Sequence, residues 1–194
     1  MPGFEKRILG LKKPTVLTTA QLNTPIGPML AGLTDEGLAL LEFTDPERLT
    51  AQLLATKRWL GCTVEDGTHL LLEQLATELD EYFEGRREAF TIPLVLAGTS
   101  FERDAWGALQ AIPYGETRSY AEQARSIGRA KAVRAVGRAN GRNRLAIVVP
   151  CHRVIASGGR LCGYSGGLWR KQYLIELESH HAPGDAAQAA ACCS

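Results

Sequence analysis

The sequence predicts two unlike halves: a small α/β unit, then a helical unit built around a helix-turn-helix. Three observations carry this reading. Short apolar runs separated by turn residues fill residues 15–43, and a pair of short helices joined by glycine follows residue 119. The charge also changes sign between the halves. Residues 1–97 hold nine Lys/Arg against fourteen Asp/Glu, and residues 98–194 hold thirteen against seven, so nets of −5 and +6 sum to the +1 of the whole chain. Such asymmetry suits a polyanion-binding half joined to an acidic one. A solvated basic face would give the same composition, so charge alone does not choose.

The elements follow in order. Residues 15–22 (TVLTTAQL), 28–33 (PMLAGL) and 38–43 (LALLEF) read as strands, divided by the turns at 23–27 and 35–37. Asp45-Pro46 starts a helix, an expected capping side chain followed by proline in the first turn, and the helix runs to about Trp59. A second helix covers about 68–83, with Leu72, Leu75, Leu79 and Phe83 on one side and Gly85 as its stop. FTIPLVL at 90–96 is a last extended run. The acids of this half are expected on solvated helix faces, with no catalytic role.

In the second half Phe101, Ala105, Leu109 and Ile112 form a helical stripe closed by Pro113-Tyr114-Gly115. Ser119 and Glu122 make an S-x-x-E capping box, predicting a helix from Tyr120 to about Ile127. Gly128-Arg129 turns the chain into a second helix over about 130–140, the order of a helix-turn-helix. Ala132, Ala135 and Ala139 leave that helix a nearly bare face, with Arg134 and Arg138 projecting elsewhere. A bare face suits close approach to a groove floor, whereas base-reading helices carry long polar side chains; the alanines could equally pack on the preceding helix. The organisation expected is 1–97, 98–180 and a small-residue, disordered tail at 181–194.

Composition excludes several classes. No apolar run approaches the roughly 18 residues of a membrane span. The amino terminus lacks the apolar core of a secretory signal, so a cytoplasmic or nuclear address is expected. The five cysteines, Cys62, Cys151, Cys162, Cys192 and Cys193, are odd in number and contain no C-x-x-C pair. Reduced thiols are therefore expected, without zinc ribbon, metal or cofactor.

One thiol stands in a suggestive place. The apolar run LAIVV (145–149) reads as a buried strand ended by proline, and Pro150-Cys151-His152-Arg153-Val154-Ile155 follows. A free thiol has a pKa of about 8.5, so a neighbouring histidine, itself held by a carboxylate, is a general means of making thiolate. A lone Cys-His pair is weak. With the helix-turn-helix before it, the string is stronger.

Here the chain resembles the O6-alkylguanine-DNA alkyltransferases, the methylated-DNA–protein-cysteine methyltransferases. The resemblance covers residues 15–178 and is strongest in IPYGETRSY (112–120), RAVGRANGRN (134–143), VVPCHRVI (148–155) and GYSGGLWRKQYLIELE (163–178). It implies a ribonuclease-H-like α/β domain and a helical domain with a winged-helix-like helix-turn-helix. It also implies single-use transfer of an alkyl group from O6-alkylguanine, with O4-alkylthymine a further lesion. By resemblance Cys151 is the acceptor, His152 takes its proton through a water, and Glu178 orients the imidazole. Asn143 is the hinge between recognition helix and active-site segment. Arg134 enters the duplex through the minor groove, where Ala132 and Ala135 lie close, and fills the gap of a flipped nucleotide. Tyr120 crowds the phosphate and offers its hydroxyl to the base. The Tyr164-Ser165 loop closes over it, the Ser165 N–H facing O6, while the carbonyls of Cys151 and Val154 accept the exocyclic amine. The implied partner is alkylated double-stranded DNA, bound by a monomer.

Two rivals remain on sequence grounds. A binding-only lesion sensor is disfavoured by the intact Cys151 and His152. A sequence-specific regulator is disfavoured by the small recognition face, and the chain lacks the four-cysteine zinc module of the family's regulators.

Overall fold

The computed structural model describes residues 15–182. The expected tail therefore falls mostly outside the described residues. β1 (Val16–Leu22), β2 (Met29–Thr34) and β3 (Gly37–Phe43) form an antiparallel meander, with Ala20 opposite Ala31 and Ala31 opposite Leu41. α1 (Pro46–Leu60) then crosses to β4 (Thr63–Asp66), which pairs parallel with β1 and completes the order β3-β2-β1-β4. β4 was not foreseen: three of its four residues are exposed, so it has no buried face to show alternation.

α2 (Leu70–Phe83) packs on the sheet, its amino end capped by His69, whose Nδ1 accepts from Leu71 N–H at 3.2 Å. The expected Asp45 cap is absent. Its carboxylate makes no bond to the helix amides and instead pairs with Arg170 at 2.8 Å. A charged partner outcompetes a neutral amide.

The run 90–96 is not a strand either. Pro93 has no N–H, and the amides of Thr91 and Ile92 point at the Glu78 carboxylate at 2.9 and 3.4 Å. Only one bridge forms, between Leu38 and Leu94. Glu78 and Glu42 are both buried, at 3% and 0% exposure, so the acids of this half are not simply solvated.

The helical half is α3 (Ser100–Gln110), α4 (Tyr120–Ser126), α5 (Val133–Gly141) and α6 (Leu168–His181), with a two-stranded parallel pair of β5 (Arg118–Ser119) and β6 (Val154–Ile155). The Ser119–Glu122 capping box forms as expected, and Thr99–Glu102 makes a second one ahead of α3. Buried Gln123 and Asn140 exchange amide bonds at 3.0 and 2.7 Å, fixing α4 against α5. α5 starts later than expected: Ala132 is its cap, and Ala139 is buried beneath the Trp106 indole, whose N–H donates to the Ala139 carbonyl at 2.9 Å. Ala135 alone of the three alanines is exposed.

The halves share a core. Phe43, Leu75 and Tyr82 from the first half join Trp106, Val149 and Leu174 from the second in one cluster. The backbone joins them too, Leu41 accepting from Ala146 at 2.8 Å and donating to Arg144 at 2.7 Å.

Candidate active site

The segment 145–149 is buried as expected but is not a strand. After the single bridge of Leu145 to Leu41 it coils, with Val148 N–H on Ala146 and Val149 N–H on Leu145. Ile147 sits at φ 71°, costly for a β-branched residue. Asn143 is the template for this coil. Its Oδ1 accepts from Leu145 N–H at 3.0 Å, and its Nδ2 donates to the Val149 carbonyl at 2.8 Å. A side chain thus supplies the partners a neighbouring strand would have supplied.

The same Nδ2 lies 3.2 Å from Cys151 Sγ. Cys151 opens a 3₁₀ turn, Cys151–Arg153, rather than ending a strand, and is 7% exposed. Burial pushes its thiol pKa up, with the Asn143 bond opposing. At rest the sulfur is a thiol, and it needs a base.

His152 is wholly buried, and its Nε2 lies 2.8 Å from Glu178 Oε1. Glu178, on α6, is not at a solvated helix end but 1% exposed. Its carboxylate also accepts from Tyr82 Oη at 2.7 Å, Arg153 Nε and Nη2 at 2.8 and 3.0 Å, and Gly115 N–H at 3.3 Å. Burial alone would raise Glu178, but the bonds from His152 and Arg153 and the Arg153 charge outweigh it and hold the carboxyl at about 2. An ionised carboxylate only accepts, so Nε2 carries the hydrogen. Burial lowers the pKa of His152, with Glu178 opposing, which keeps the ring neutral. Neutral imidazole protonated at Nε2 has its lone pair on Nδ1, a buried atom without a protein partner. A base is poised one residue from the thiol.

An open cleft of about 620 Å³ is lined by Tyr120, Val133, Gly137 and Gly141 on one side and Cys162–Ser165 on the other. Tyr120 Oη donates to the Cys162 and Gly163 carbonyls at 3.4 and 3.3 Å, and burial raises its pKa to about 12, so it stays neutral. Gly163 holds φ 57°, and a Cβ there would meet the Tyr120 hydroxyl at 2.8 Å. Ser165 is exposed, while the Tyr164 hydroxyl is buried and unpartnered.

The Val154 carbonyl already accepts from buried Lys171 Nζ at 2.5 Å, and the Cys151 carbonyl from Val154 N–H, leaving each one further lone pair. Arg134 and Arg138 are exposed on α5. Of the other members of the basic run, Arg144 is buried over Trp106 and bonded to the Ala97 carbonyl, while Arg142 is exposed and pairs with Glu102 at 3.0 Å.

The fold therefore brings Asn143, Cys151, His152 and Glu178 together and places Tyr120, Tyr164 and Ser165 around the cleft. Arg134, Ala132 and Ala135 lie along α5, away from the thiol. Three contributors were not singled out in the sequence: Arg153, Lys171 and Tyr82. Arg153 and Lys171 lie within the strings that carry the resemblance, whereas Tyr82 looks like one more apolar residue of the α2 stripe.

Two family models match the chain: 6-O-methylguanine DNA methyltransferase, ribonuclease-like domain, over residues 17–96, and the DNA binding domain of the same name over residues 100–180. A methylated-DNA–protein-cysteine methyltransferase of Methanosarcina barkeri is 40% identical over 163 residues, spanning 82% of this chain and 96% of its own. One from Mycobacterium leprae is 45% identical over 159 residues, spanning 82% and 90%. Among solved structures, Mycobacterium tuberculosis OGT in complex with DNA superposes with a TM-score of 0.72 at 40% identity, covering 88% of this chain and 98% of that one.

Proposed function

We propose, since the chain belongs to the 6-O-methylguanine DNA methyltransferase family and so repairs DNA by moving an alkyl group onto a cysteine, that Cys151 is that cysteine and serves once. The observation that supports this most is the convergence on one buried thiol: the Asn143 amide at 3.2 Å from Sγ, and beside it a neutral histidine held by Glu178 at 2.8 Å.

The thiol proton passes through a water to His152 Nδ1, and Glu178 stabilises the imidazolium formed. Sγ bonds to the alkyl carbon as the carbon–O6 bond breaks. The electron pair goes to the guanine, whose ring nitrogen takes a proton from water while the imidazolium gives the thiol's proton back to water, so that one proton passes net from thiol to base. The Tyr120 hydroxyl and the Ser165 N–H donate to the departing base, and the Cys151 and Val154 carbonyls use their remaining lone pairs on its exocyclic amine.

A stacked base cannot present O6 to a thiol with 7% exposure, so the nucleotide is extruded, at a cost of a few kcal/mol, into the cleft between α5 and the 162–165 loop. Arg134 takes its place in the stack, and the bare surface at Ala132 and Ala135 lets α5 approach the minor groove closely. One copy of the chain suffices, since every group named belongs to it. O4-alkylthymine offers the same carbon–oxygen bond and is a second substrate.

The product is a thioether, which carries neither an acidic proton nor a good leaving group. Titrating excess O6-methylguanine duplex against a fixed amount of protein should repair one lesion per molecule and add about 14 Da at Cys151. Cys151→Ala should bind the duplex and gain no mass. Repair of more than one equivalent, or mass gained on a peptide lacking Cys151, would falsify the proposal.

A further inference from the structure

We infer that Tyr82, on α2 of the α/β half, is a positioning residue for the alkyl transfer: its hydroxyl fixes the Glu178 oxygen that holds His152. The inference rests on the reading that His152 takes the thiol proton.

Glu178 Oε1 accepts from Tyr82 Oη at 2.7 Å, from His152 Nε2 at 2.8 Å and from Arg153 Nη2 at 3.0 Å. Tyr82 is fully buried, and its ring is wedged edge-on or tilted among Phe83, Phe90 and Tyr114 at centroid distances of 5.5, 5.4 and 6.1 Å. The hydroxyl is therefore aimed by packing, and the carboxylate is its single partner. Each donor draws charge from Oε1 and weakens its pull on the imidazole hydrogen. Removing one leaves the remaining carboxylate charge more available to His152, whose affinity for a second proton then rises.

Other groups set the same balance. Glu178 also accepts from Arg153 of the 3₁₀ turn and from the Gly115 N–H of the turn after α3, whereas Tyr114 of that turn lies nearby without bonding to the carboxylate. His152 also feels Arg153, and Lys171 from α6. Tyr82 is distinct among these because it comes from the α/β half. Through it the first half holds the proton relay of the second.

Tyr82→Phe keeps the ring and removes the hydroxyl. Tyr114→Phe is its control, since the Tyr114 hydroxyl is buried at the same junction without a partner. Single-turnover rates on methylated duplex would be followed against pH for the full chain and both variants, with His152 titrated by NMR. In Tyr82→Phe the acid limb should move up by about half a pH unit, a loss of about threefold in rate on its acid side, and the His152 titration should move with it. Tyr114→Phe should follow the wild type. Unchanged midpoints in Tyr82→Phe, or an equal shift in both variants, would overturn the inference. A wild-type chain that takes up no alkyl group would sink the underlying reading instead, and the His152 titration would still decide the Tyr82 contact.

Discussion

Five hydrogen bonds from four residues converge on the two oxygens of Glu178, and one of the four, Arg153, is a buried guanidinium making two of the bonds. Glu178→Gln keeps the shape but leaves that guanidinium without its counter-charge, a loss of about 3–5 kcal/mol near neutral pH. The sign with pH follows from the depressed carboxyl. Its stabilisation is complete above the ordinary value of 4.5 and is lost as pH falls through about 2. The stability gap between wild type and Glu178→Gln should therefore be constant at pH 6–8 and narrow below about 4.5, as melts across that range would reveal. His152 adds a loss of its own: its folded pKa is lowered, so protons favour the unfolded chain below about 6.5. A gap that failed to narrow as pH falls from about 4.5 towards 2 would contradict the arrangement. Resemblance named Glu178 and His152 in the sequence, but spacing could not: 26 residues separate them, and only the docking of α6 against the 3₁₀ turn brings them within 2.8 Å.

At the scale of elements, α5 has two faces with different duties. Val136, Ala139 and Asn140 are buried against α3 and α4, while Arg134, Ala135 and Arg138 are exposed. The alanine stripe is thus split between packing and surface: Ala135 and Ala139 stand one turn apart, but Trp106 of α3 reaches only Ala139. Arg134 touches neither the thiol nor its relay. Arg134→Ala should then slow repair of duplex DNA by about tenfold or more while leaving reaction with free O6-alkylguanine base nearly unchanged. Equal losses on both substrates would remove Arg134 from base extrusion. The segment before Cys151 teaches the opposite lesson. Five consecutive apolar residues look like a strand, and the Asn143 side chain turns them into a coil that delivers the sulfur to its own amide.

For the whole molecule, the shared core means that chemistry at Cys151 is felt by both halves. Cys151 belongs to the same apolar cluster as Phe43 and Tyr82. A methyl group on a sulfur packed this tightly adds volume and weakens the acceptor that Asn143 uses. Overpacking costs about 1–3 kcal/mol, and at this chain length about 2–4 °C of melting temperature goes with each kcal/mol. The alkylated protein should accordingly melt a few degrees below the free one, and scanning calorimetry before and after stoichiometric reaction would measure it. An unchanged or raised midpoint would mean the site has room for its product.

By itself the sequence determined the elements whose signals are local. The turns and apolar runs of the meander, the helix stop at Gly85 and the Ser119–Glu122 box each arise from neighbouring residues, and each has the place expected of it. Tertiary structure decided whatever depends on which partner wins a bond. Asp45 forsakes its helix for Arg170, Glu78 takes the amides of a would-be strand, and β4 forms because β1 offers it an edge. Above all it decided the buried cluster in which Tyr82, His152, Arg153 and Glu178 meet across as many as 96 residues of sequence. Burial makes those bonds strong and their absence costly, and burial belongs to the folded chain.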